Sequence, residues 1–341
     1  MKQFNVAIVG ATGIIGQELI KILVERDFPV NSIRLYDSNH SAGKKIFIKH
    51  QEVAVNEISP ESFRGIEIAF FSSGPEVSRY YAPLAVQLGA VVIDNSSAFR
   101  MDKDVPMIVP EVNLEEAKLH KGIITTPNCS TIQLAVVLYP LHKLNPVKRI
   151  IVDTYQSVSG NGSAATEELT TQSKQVLDGQ AAVTKVFTHQ IAFNLLPEVD
   201  VFLDNGYTRE ERKILEETRR IMHAPEMAIS ATCVWVPIFI SHSQAVHVEF
   251  TRPIFPEEAR RILSTSPGIR VIDDGSVSLY PQPWAVTGSD ECYVGRIRQD
   301  TSHKNGLVMW IVADNIRKGA ALNTVQIAEE IIMRDWFISR R

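Results

Sequence analysis

A glycine-rich turn near the start of the chain constrains its fold most. In FNVAIVGATGIIG, Gly10, Gly13 and Gly16 separate a short apolar strand pattern from the helical pattern that follows. Glycines at such a junction let backbone N–H groups approach a pyrophosphate, and the helix dipole favours its negative charge. The turn therefore predicts a dinucleotide site. The alternative interpretation is a tight turn that serves close packing alone.

Strand and helix patterns continue to alternate after this turn. Apolar runs of strand length lie at 32–37, 66–71 and 90–94, and a helical pattern covers 76–88. Such alternation is typical of βαβ units. We therefore predict an α/β fold whose N-terminal, Rossmann-like domain contains a doubly wound parallel sheet.

A second kind of segment begins near residue 125. A loop enters an apolar helix there, and long strands then mix with helices from 148 to about 312. This pattern predicts a mainly antiparallel α+β domain. We place the nucleotide-binding domain at 1–128 and the second domain at 129–315, and we expect the helical tail at 316–341 to pack back on the first domain.

Composition and charge exclude several classes of function. The formal charge is −4, from 35 basic and 39 acidic residues mixed along the chain, so neither nucleic acid nor an anionic membrane is an expected partner. The three cysteines are spaced neither as a disulfide framework nor as a metal site. No uncharged apolar run reaches the roughly 20 residues of a membrane span. We expect a cytoplasmic protein without a metal that acts on a small molecule.

Cys129 is the candidate nucleophile. Pro127 and Asn128 precede it in TTPNCSTIQ and an apolar helix follows, so its sulfur is expected at a helix N-terminus, which stabilises a thiolate. Cys233 and Cys292 lack this context and are expected to be buried packing residues. A thiolate at Cys129 could add to an aldehyde and form a thioester.

Three further side chains suit this chemistry. His242, in the polar turn ISHSQAV between two apolar runs, is the best placed of the nine histidines to transfer a proton near neutral pH. Gln156, at the end of a strand, could hold the substrate or a developing oxyanion by its amide. Arg100 follows another strand end and is suited to a forked contact with phosphate or carboxylate, although a surface ion pair is the ordinary role of a single arginine.

The segment after the second strand pattern leaves the choice of nucleotide open. Asp37, at the end of that strand, is typical of NAD binding, because an acidic residue there accepts from the ribose 2′-OH and repels a 2′-phosphate. Ser38, His40, Ser41 and Lys44 could instead donate to the 2′-phosphate of NADP. A solvated turn without a ligand is the third interpretation.

Several motifs together resemble one family. These motifs extend over nearly the whole chain and are GATGIIG, DNSSAFRM, PNCSTIQ, TYQSVSG, NGYTREERKILEETRRI, ATCV, HSQAV and DNIRKGAALNTVQIAE. Their order resembles that found in aspartate-semialdehyde dehydrogenases. The resemblance implies NADP-linked, phosphate-dependent oxidation of L-aspartate 4-semialdehyde to 4-aspartyl phosphate. The reaction runs in reverse in the biosynthesis of lysine, diaminopimelate, methionine and threonine. A C-terminal catalytic and dimerisation domain, and a homodimer or a dimer of dimers, are also implied.

The resemblance assigns roles residue by residue. It implies that Cys129 is the nucleophile, His242 the acid/base and Gln156 the residue that orients the substrate. The residues expected to bind substrate or phosphate are Arg100, Glu217, Arg220 and Asn128. Among them, Arg100 matches the phosphate-binding arginine, and Glu217 matches the residue that contacts the substrate amine.

The expected nucleotide is NADP, and Asp37 and His40 leave NAD open. The resemblance implies that Thr12, Gly13, Ile14, Ser159, Gly160 and Asn315 contact it. The further residues expected to contact it are Gly10, Ser38, Ser41 and Ser72.

The chain departs from the family pattern in three places. Trp235 stands where the family usually has an arginine that binds the substrate α-carboxylate, and Arg220 stands where a lysine is common. Asp37 and His40 replace a small residue and an arginine. Such changes would suit a divergent paralogue with another substrate or cofactor, such as a reductase of the N-acetylglutamyl phosphate type. They would also suit a nucleotide-binding partner protein with little turnover.

Overall fold

Two compact units make up the chain in the computed structural model, which describes residues 2–49 and 51–337. Unit 1 comprises Met1–Pro127 and Ala320–Arg341, and unit 2 comprises Asn128–Gly319. The sequence analysis placed the two divisions after residues 128 and 315. Residues 338–341 of the predicted helical tail lie outside the described residues.

A mostly parallel sheet forms the centre of unit 1. Its strands and helices, in chain order, are β1 (Phe4–Val9), α1 (Ile14–Glu25), β2 (Val30–Asp37), β3 (Lys45–Ile48), β4 (Gln51–Glu57), β5 (Ile68–Phe71), α2 (Pro75–Gln87), β6 (Val91–Asp94), α3 (Pro110–Asn113) and β7 (Ile123–Thr125). The strand order is β3-β4-β2-β1-β5-β6-β7, and all neighbours are parallel except β3 and β4. The predicted Rossmann-type parallel sheet is confirmed.

Both faces of this sheet are covered, as the doubly wound arrangement requires. Along β1, Val6 and Ile8 join one apolar cluster with helix α1, whereas Ala7 and Val9 join a second cluster with helix α2. Successive side chains of a strand point to opposite faces. The continuous apolar run of β1 is therefore buried on both sides, which explains why it shows no alternation of polar and apolar residues.

Strands β3 and β4 were not predicted from the sequence. These strands lie at one edge of the sheet, and their residues are mostly exposed or half-buried. Their apolar runs are Ile46–Ile48 in β3 and Val53–Val55 in β4, each three residues long. A run of four to eight residues is what marks a buried strand, so the shortness of these runs conceals both strands.

Unit 2 contains a mixed sheet. Its elements are α4 (Cys129–Leu144), β8 (Val147–Ser157), α5 (Ser163–Leu177), α6 (Arg209–Ile221), β9 (Ala228–Val236), β10 (His242–Phe250), α7 (Pro256–Ser264), β11 (Ile269–Val271), α8 (Pro283–Val286), β12 (Cys292–Gln299) and β13 (Gly306–Ala313). In the order β11-β12-β13-β10-β8-β9, the three central pairings are antiparallel and the two outer ones are parallel. The parallel pairing of β8 with β9 was not predicted. It arises because α5 and α6 lie between them in the chain and form a crossover connection.

Helix α4 is the core helix of unit 2. Every residue from 130 to 138 is buried, including the polar Ser130, Thr131 and Gln133, so this part of the helix is enclosed on all sides. It contacts helices α6 and α7 and also strands β8, β12 and β13. Because packing surrounds the helix, its first residue, Cys129, has a fixed position.

After β13 the chain returns to unit 1. A π-helical turn at Arg317–Ala321 leads into α9 (Leu322–Met333), which buries Leu322, Val325 and Ile331 in the same cluster as α1. The Asn323 side chain donates to the Ile108 carbonyl at 3.0 Å. Among the helices of the described residues, none has the length and apolar character needed to cross a membrane.

Candidate active site

Cys129 is the first residue of α4, as the sequence predicted, and Asn128 caps the helix. The Asn128 Oδ1 accepts from the backbone N–H groups of Ser130 at 2.9 Å and Thr131 at 3.4 Å. The positive end of the helix dipole favours a thiolate at this position. In contrast, burial raises the pKa of the Cys233 thiol, which keeps that cysteine protonated. Cys129 is therefore the better nucleophile.

Close backbone contacts hold Cys129 in place. The Glu217 carboxylate on α6 accepts from the Asn128 backbone N–H at 2.6 Å. On another side, a Cβ atom added to Gly319 would lie 2.9 Å from the Cys129 Cβ. Only glycine allows this approach, so the π-helical turn that contains Gly319 limits the movement of the cysteine.

Gln156 lies beside this helix start, near the end of β8. Its Nε2 donates to the Ser130 hydroxyl and to the Glu210 carboxylate, both at 2.9 Å. Its Oε1 is buried and has no hydrogen-bond partner within the described part of the chain. The amide therefore offers a ligand its carbonyl oxygen, because both protons of the nitrogen are already used.

His242 begins strand β10, so its predicted place in a polar turn was wrong. It pairs with Ala313 on β13 and is fully buried. The strand extends over this polar stretch through its backbone pairing with β13 and β8. The Gln244 Nε2 donates to the Ser130 carbonyl at 2.8 Å. The Ser243 hydroxyl and the Gln244 Oε1 are buried without a hydrogen-bond partner in the described part of the chain.

The charge state of His242 follows from its surroundings. Its Nδ1 accepts from the Ser157 backbone N–H at 3.0 Å. A backbone N–H can only donate, so Nδ1 holds a lone pair and the neutral ring has its proton on Nε2. Burial lowers the pKa of His242 to about 3, so the ring is neutral at physiological pH. Its Nε2 is buried and has no hydrogen-bond partner among residues 2–49 and 51–337, and it can donate to a ligand.

Ser159 and Asn315 fix the loop beside this histidine. The Asn315 Oδ1 accepts from the Ser157 hydroxyl at 3.1 Å and from the Ser241 N–H at 2.9 Å, while its Nδ2 donates to the Ser159 hydroxyl at 3.0 Å. All four residues are buried. The network thus joins the end of β8 to the start of β10, where Gln156 and His242 lie.

Trp235 forms an apolar wall next to these groups. It is the register partner of Gln156 on the neighbouring strand, and its indole packs edge-on against Phe187 with ring centroids 5.7 Å apart. A Cβ atom added to Gly160 would lie 3.2 Å from the His242 Nε2 and 3.3 Å from the Trp235 Cη2. The indole and the histidine therefore face the same narrow space. The indole provides no cation for a carboxylate.

The glycine turn of unit 1 has the geometry that a dinucleotide requires. Gly10 has a φ of +85°, and a Cβ atom there would lie 2.9 Å from the Ser72 backbone. A Cβ atom at Gly16 would lie 2.2 Å from the Gly10 oxygen. Gly13 caps α1, whose first residue is Ile14. A cavity of about 410 Å³ lies here, and its lining includes Gly10, Thr12, Gly13, Asp37, Ser38 and Ser72. These residues fit a dinucleotide.

Asp37 is tied to this turn. Its carboxylate accepts from the Thr12 N–H at 3.0 Å, the Thr12 hydroxyl at 2.7 Å and the Ser38 N–H at 2.8 Å. The Ser41 hydroxyl lies 3.1 Å from that of Thr12, and the side chains of His40 and Lys44 are exposed. A fixed negative charge therefore lies at the end of β2.

The two candidate phosphate-binding arginines belong to different units. Arg100 is buried in unit 1, where its Nη2 donates to the Asn95 carbonyl at 3.0 Å. Arg220 is half-buried in the last turn of α6 in unit 2.

The sequence analysis missed three residues that shape the site, namely Ser130, Glu210 and Gly319. One signal for Glu210 was present: it lies seven residues before Glu217 on a helical pattern, and residues at this spacing share a helix face. The hydrogen bonds of Ser130 and the close contact of Gly319 depend on the folded chain, so the sequence held no comparable signal.

Two segments of the chain match family models. Residues 5–120 match the model described as semialdehyde dehydrogenase, NAD binding domain. Residues 138–318 match the model described as semialdehyde dehydrogenase, dimerisation domain. Together these segments cover most of both units.

Known proteins are similar to the chain over nearly their full length. The aspartate-semialdehyde dehydrogenase of Aquifex aeolicus is 51% identical over 333 residues, which cover 96% of this chain and 98% of that protein. The Bacillus subtilis enzyme is 46% identical over 335 residues, with 96% and 97% covered. A crystal structure of aspartate semialdehyde dehydrogenase II from Vibrio cholerae, complexed with ASA, is 44% identical, covers 99% of this chain and 100% of that one, and has a TM-score of 0.96. The chain therefore belongs to the aspartate-semialdehyde dehydrogenase family.

Proposed function

We propose that this protein catalyses the NAD(P)- and phosphate-dependent oxidation of L-aspartate 4-semialdehyde to 4-aspartyl phosphate, and the reverse reaction in lysine, methionine and threonine biosynthesis. The observation that carries the proposal is the position of Cys129, at a capped helix N-terminus in the same unit as the Gln156 carbonyl oxygen and the neutral His242. The substrate is that named for the relatives described above.

The reaction begins at Cys129. Its thiolate adds to the aldehyde carbon, a C–S bond forms, and the carbonyl oxygen becomes an oxyanion. The His242 Nε2–H donates a hydrogen bond to this oxyanion, which is the role that a neutral, buried imidazole with Nδ1 already occupied can fill. His242 thus acts as a donor to the oxyanion and does not remove the thiol proton.

Loss of hydride from the oxyanion carbon completes the thioester. Gly10, Thr12 and Gly13 would hold a nicotinamide nucleotide, which would supply the acceptor for this hydride. Phosphate then attacks the thioester carbon, the C–S bond breaks, and Cys129 leaves as the thiolate while the acyl phosphate is released. Arg100 and Arg220 are the proposed phosphate ligands, since a guanidinium matches the oxygens of phosphate.

Substrate binding differs from the family pattern at one end. Glu217 is the proposed partner of the substrate amine, together with the acceptor oxygen of Gln156. Trp235 cannot form the ion pair that an arginine would form with the α-carboxylate. A charge-assisted hydrogen bond contributes about 1.5–3 kcal/mol, so we propose that the chain binds this carboxylate weakly.

The nucleotide that we assign is NADP, although the charge of Asp37 disfavours its 2′-phosphate. Ser38, Ser41, His40 and Lys44 supply donors for a 2′-phosphate near the end of β2. The Asp37 carboxylate is held in the same turn and repels that phosphate. We therefore propose that NADP binds with little preference over NAD.

The proposed assembly is a cytoplasmic homodimer, and a dimer of dimers is the larger alternative. A cavity of about 1100 Å³ on one side of the unit 2 sheet supports the dimer. Its lining includes Phe239, Trp284 and Trp310. Trp284 is 92% exposed, which is unusual for an apolar ring on a surface without a partner. Sedimentation equilibrium measures the mass that distinguishes the two assemblies.

Replacement of the nucleophile tests the proposal. We expect the purified protein to reduce NADP only when both aspartate semialdehyde and phosphate are present. Cys129→Ala should lower kcat by at least about 1000-fold, since the covalent route is lost. Cys292→Ala, which removes another cysteine, is the control and should keep kcat within about threefold. Folded wild-type protein without phosphate-dependent turnover of either nucleotide would contradict the proposed function.

Removal of the Asp37 charge tests the nucleotide assignment. In Asp37→Ser, the ratio of kcat/KM for NADP to that for NAD should rise about tenfold or more, because a like charge beside the 2′-phosphate is gone. Asp37→Asn keeps the shape and removes the charge, so it should give most of the same rise. An unchanged ratio in both variants would show that Asp37 does not face the 2′-position.

A cation at position 235 tests the binding of the carboxylate. We expect Trp235→Arg to lower the KM for aspartate semialdehyde about tenfold, because the guanidinium can pair with the α-carboxylate. Trp235→Leu, which removes the indole without adding charge, should not lower it. The KM for 3-aminopropanal, which lacks the carboxylate, should fall in neither variant. If Trp235→Arg folds and raises the KM for the semialdehyde, the indole itself belongs to the substrate site.

A further inference from the structure

Glu210 is a buried carboxylate beside the nucleophile. It lies in the first turn of α6, and 6% of it is exposed. Its Oε1 accepts hydrogen bonds from the amide nitrogens of Asn128 at 2.8 Å and Gln156 at 2.9 Å. Its Oε2 lies 3.3 Å from the Lys213 Nζ. One carboxylate thus connects the residue before Cys129 with the glutamine of β8.

This carboxylate determines which way the Asn128 amide is turned. An ionised carboxylate only accepts hydrogen bonds, so Asn128 must present its NH₂ group to Glu210. The Asn128 Oδ1 then faces the Ser130 N–H and caps α4. A reversed amide would bring two acceptor oxygens together and remove the cap.

The Gln156 amide is oriented by the same oxygen. Its Nε2 uses one proton for Glu210 and the other for the Ser130 hydroxyl. The Oε1 is thereby left as a buried acceptor without a partner in the described part of the chain. Together with the His242 Nε2 donor, the site presents one acceptor and one donor to a ligand. Reversal of the Gln156 amide would replace the acceptor by a second donor.

We propose that Glu210 is a positioning residue for the reaction at Cys129. By accepting from both amides, it holds the Asn128 cap in place and turns the Gln156 carbonyl oxygen toward the ligand. The inference rests on the proposed function, in which Gln156 orients the substrate. Glu210 acts through Asn128 and Gln156.

Glu210→Gln is the first test, because it keeps the shape and removes the obligatory acceptor. The introduced amide can keep its oxygen toward Asn128 and Gln156 only if its NH₂ group faces the Lys213 ammonium, which is also a donor. Turning the oxygen toward Lys213 instead places the NH₂ group against the two neighbouring amide nitrogens. These two competing arrangements leave Asn128 and Gln156 without a single defined orientation. We expect kcat to fall about 10- to 100-fold, since a small misplacement at a reacting centre has effects of this size, while KM changes less.

Alkylation of Cys129 by iodoacetamide separates positioning from structure. In Glu210→Gln a nearby negative charge and part of the Asn128 cap are lost together, and these losses have opposite effects on the thiolate. The alkylation rate should therefore stay within about threefold of wild type while kcat falls further. A general disruption of α4 would lower the alkylation rate as much as kcat. Glu210→Asp retains an acceptor-only carboxylate and should recover part of the lost kcat.

Glu211 provides a matched control. It lies on the same helix and is 7% exposed, but its carboxylate accepts from the backbone N–H groups of Thr208 at 2.7 Å and Cys233 at 3.0 Å. Glu211→Gln should therefore lower the melting temperature and leave kcat of the folded protein within about threefold of wild type.

A second test measures the contact between Glu210 and Gln156 by its effect on the melting temperature, without any measurement of activity. Gln156→Glu places two carboxylates at the present 2.9 Å separation in a buried site, which should lower the melting temperature by several degrees. Adding Glu210→Gln should restore at least half of the loss, because an amide again faces a carboxylate. Adding Glu211→Gln instead should restore none.

The outcomes distinguish this inference from the proposed function. Wild-type protein without turnover contradicts the proposed function, and the melting temperatures still test Glu210. If wild type is active and Glu210→Gln keeps kcat within twofold, the positioning role is overturned. It is also overturned if Glu211→Gln lowers kcat by as much as Glu210→Gln does. The same conclusion follows if Glu211→Gln restores the melting temperature of Gln156→Glu to the same extent as Glu210→Gln.

Discussion

The hydrogen bonds of Asn128 are the interactions on which the site depends. Glu217 accepts from its backbone N–H, Glu210 accepts from its side-chain amide, and its own Oδ1 caps α4. These three contacts fix the residue before Cys129 in both main chain and side chain. Because α4 is packed on all sides, they also connect Cys129 to the centre of unit 2.

Two buried carboxylates at this place have an energetic cost. Removing a charged group from water costs several kcal/mol. Negative charges on Glu210 and Glu217 would also disfavour a thiolate on Cys129, and this effect opposes that of the helix dipole. Hydrogen bonds from N–H groups and the nearby Lys213 offset part of this cost for Glu210. Such an arrangement fixes the geometry of the site at the expense of the stability of the fold. Sites that stabilise charge during a reaction usually have this property. The neutral His242 and the acceptor oxygen of Gln156 complete a set of fixed dipoles.

The elements that the sequence predicted are those whose signals are local. The glycine turn, the apolar strands of unit 1 and the position of Cys129 at a helix start each depend on residues close together in the chain. The strand position of His242 and the parallel pairing of β8 with β9 depend on neighbours distant in sequence. The contact of Glu210 with Asn128 spans 82 positions, and no local pattern encodes it. The resemblance to a family supplied the candidate site residues, whereas the amide orientations and the histidine tautomer follow only from the folded chain.

The proposed reaction requires a thioester on Cys129, at a site fixed by α4 and α6. Mass spectrometry of the intact protein can detect this thioester after reaction with aspartate semialdehyde and nucleotide in the absence of phosphate. We expect a covalent acyl adduct on Cys129, about one per chain, that disappears when phosphate is added and does not form in Cys129→Ala. Reduced nucleotide formed without any adduct on Cys129, or an adduct that persists in Cys129→Ala, would contradict the proposed reaction.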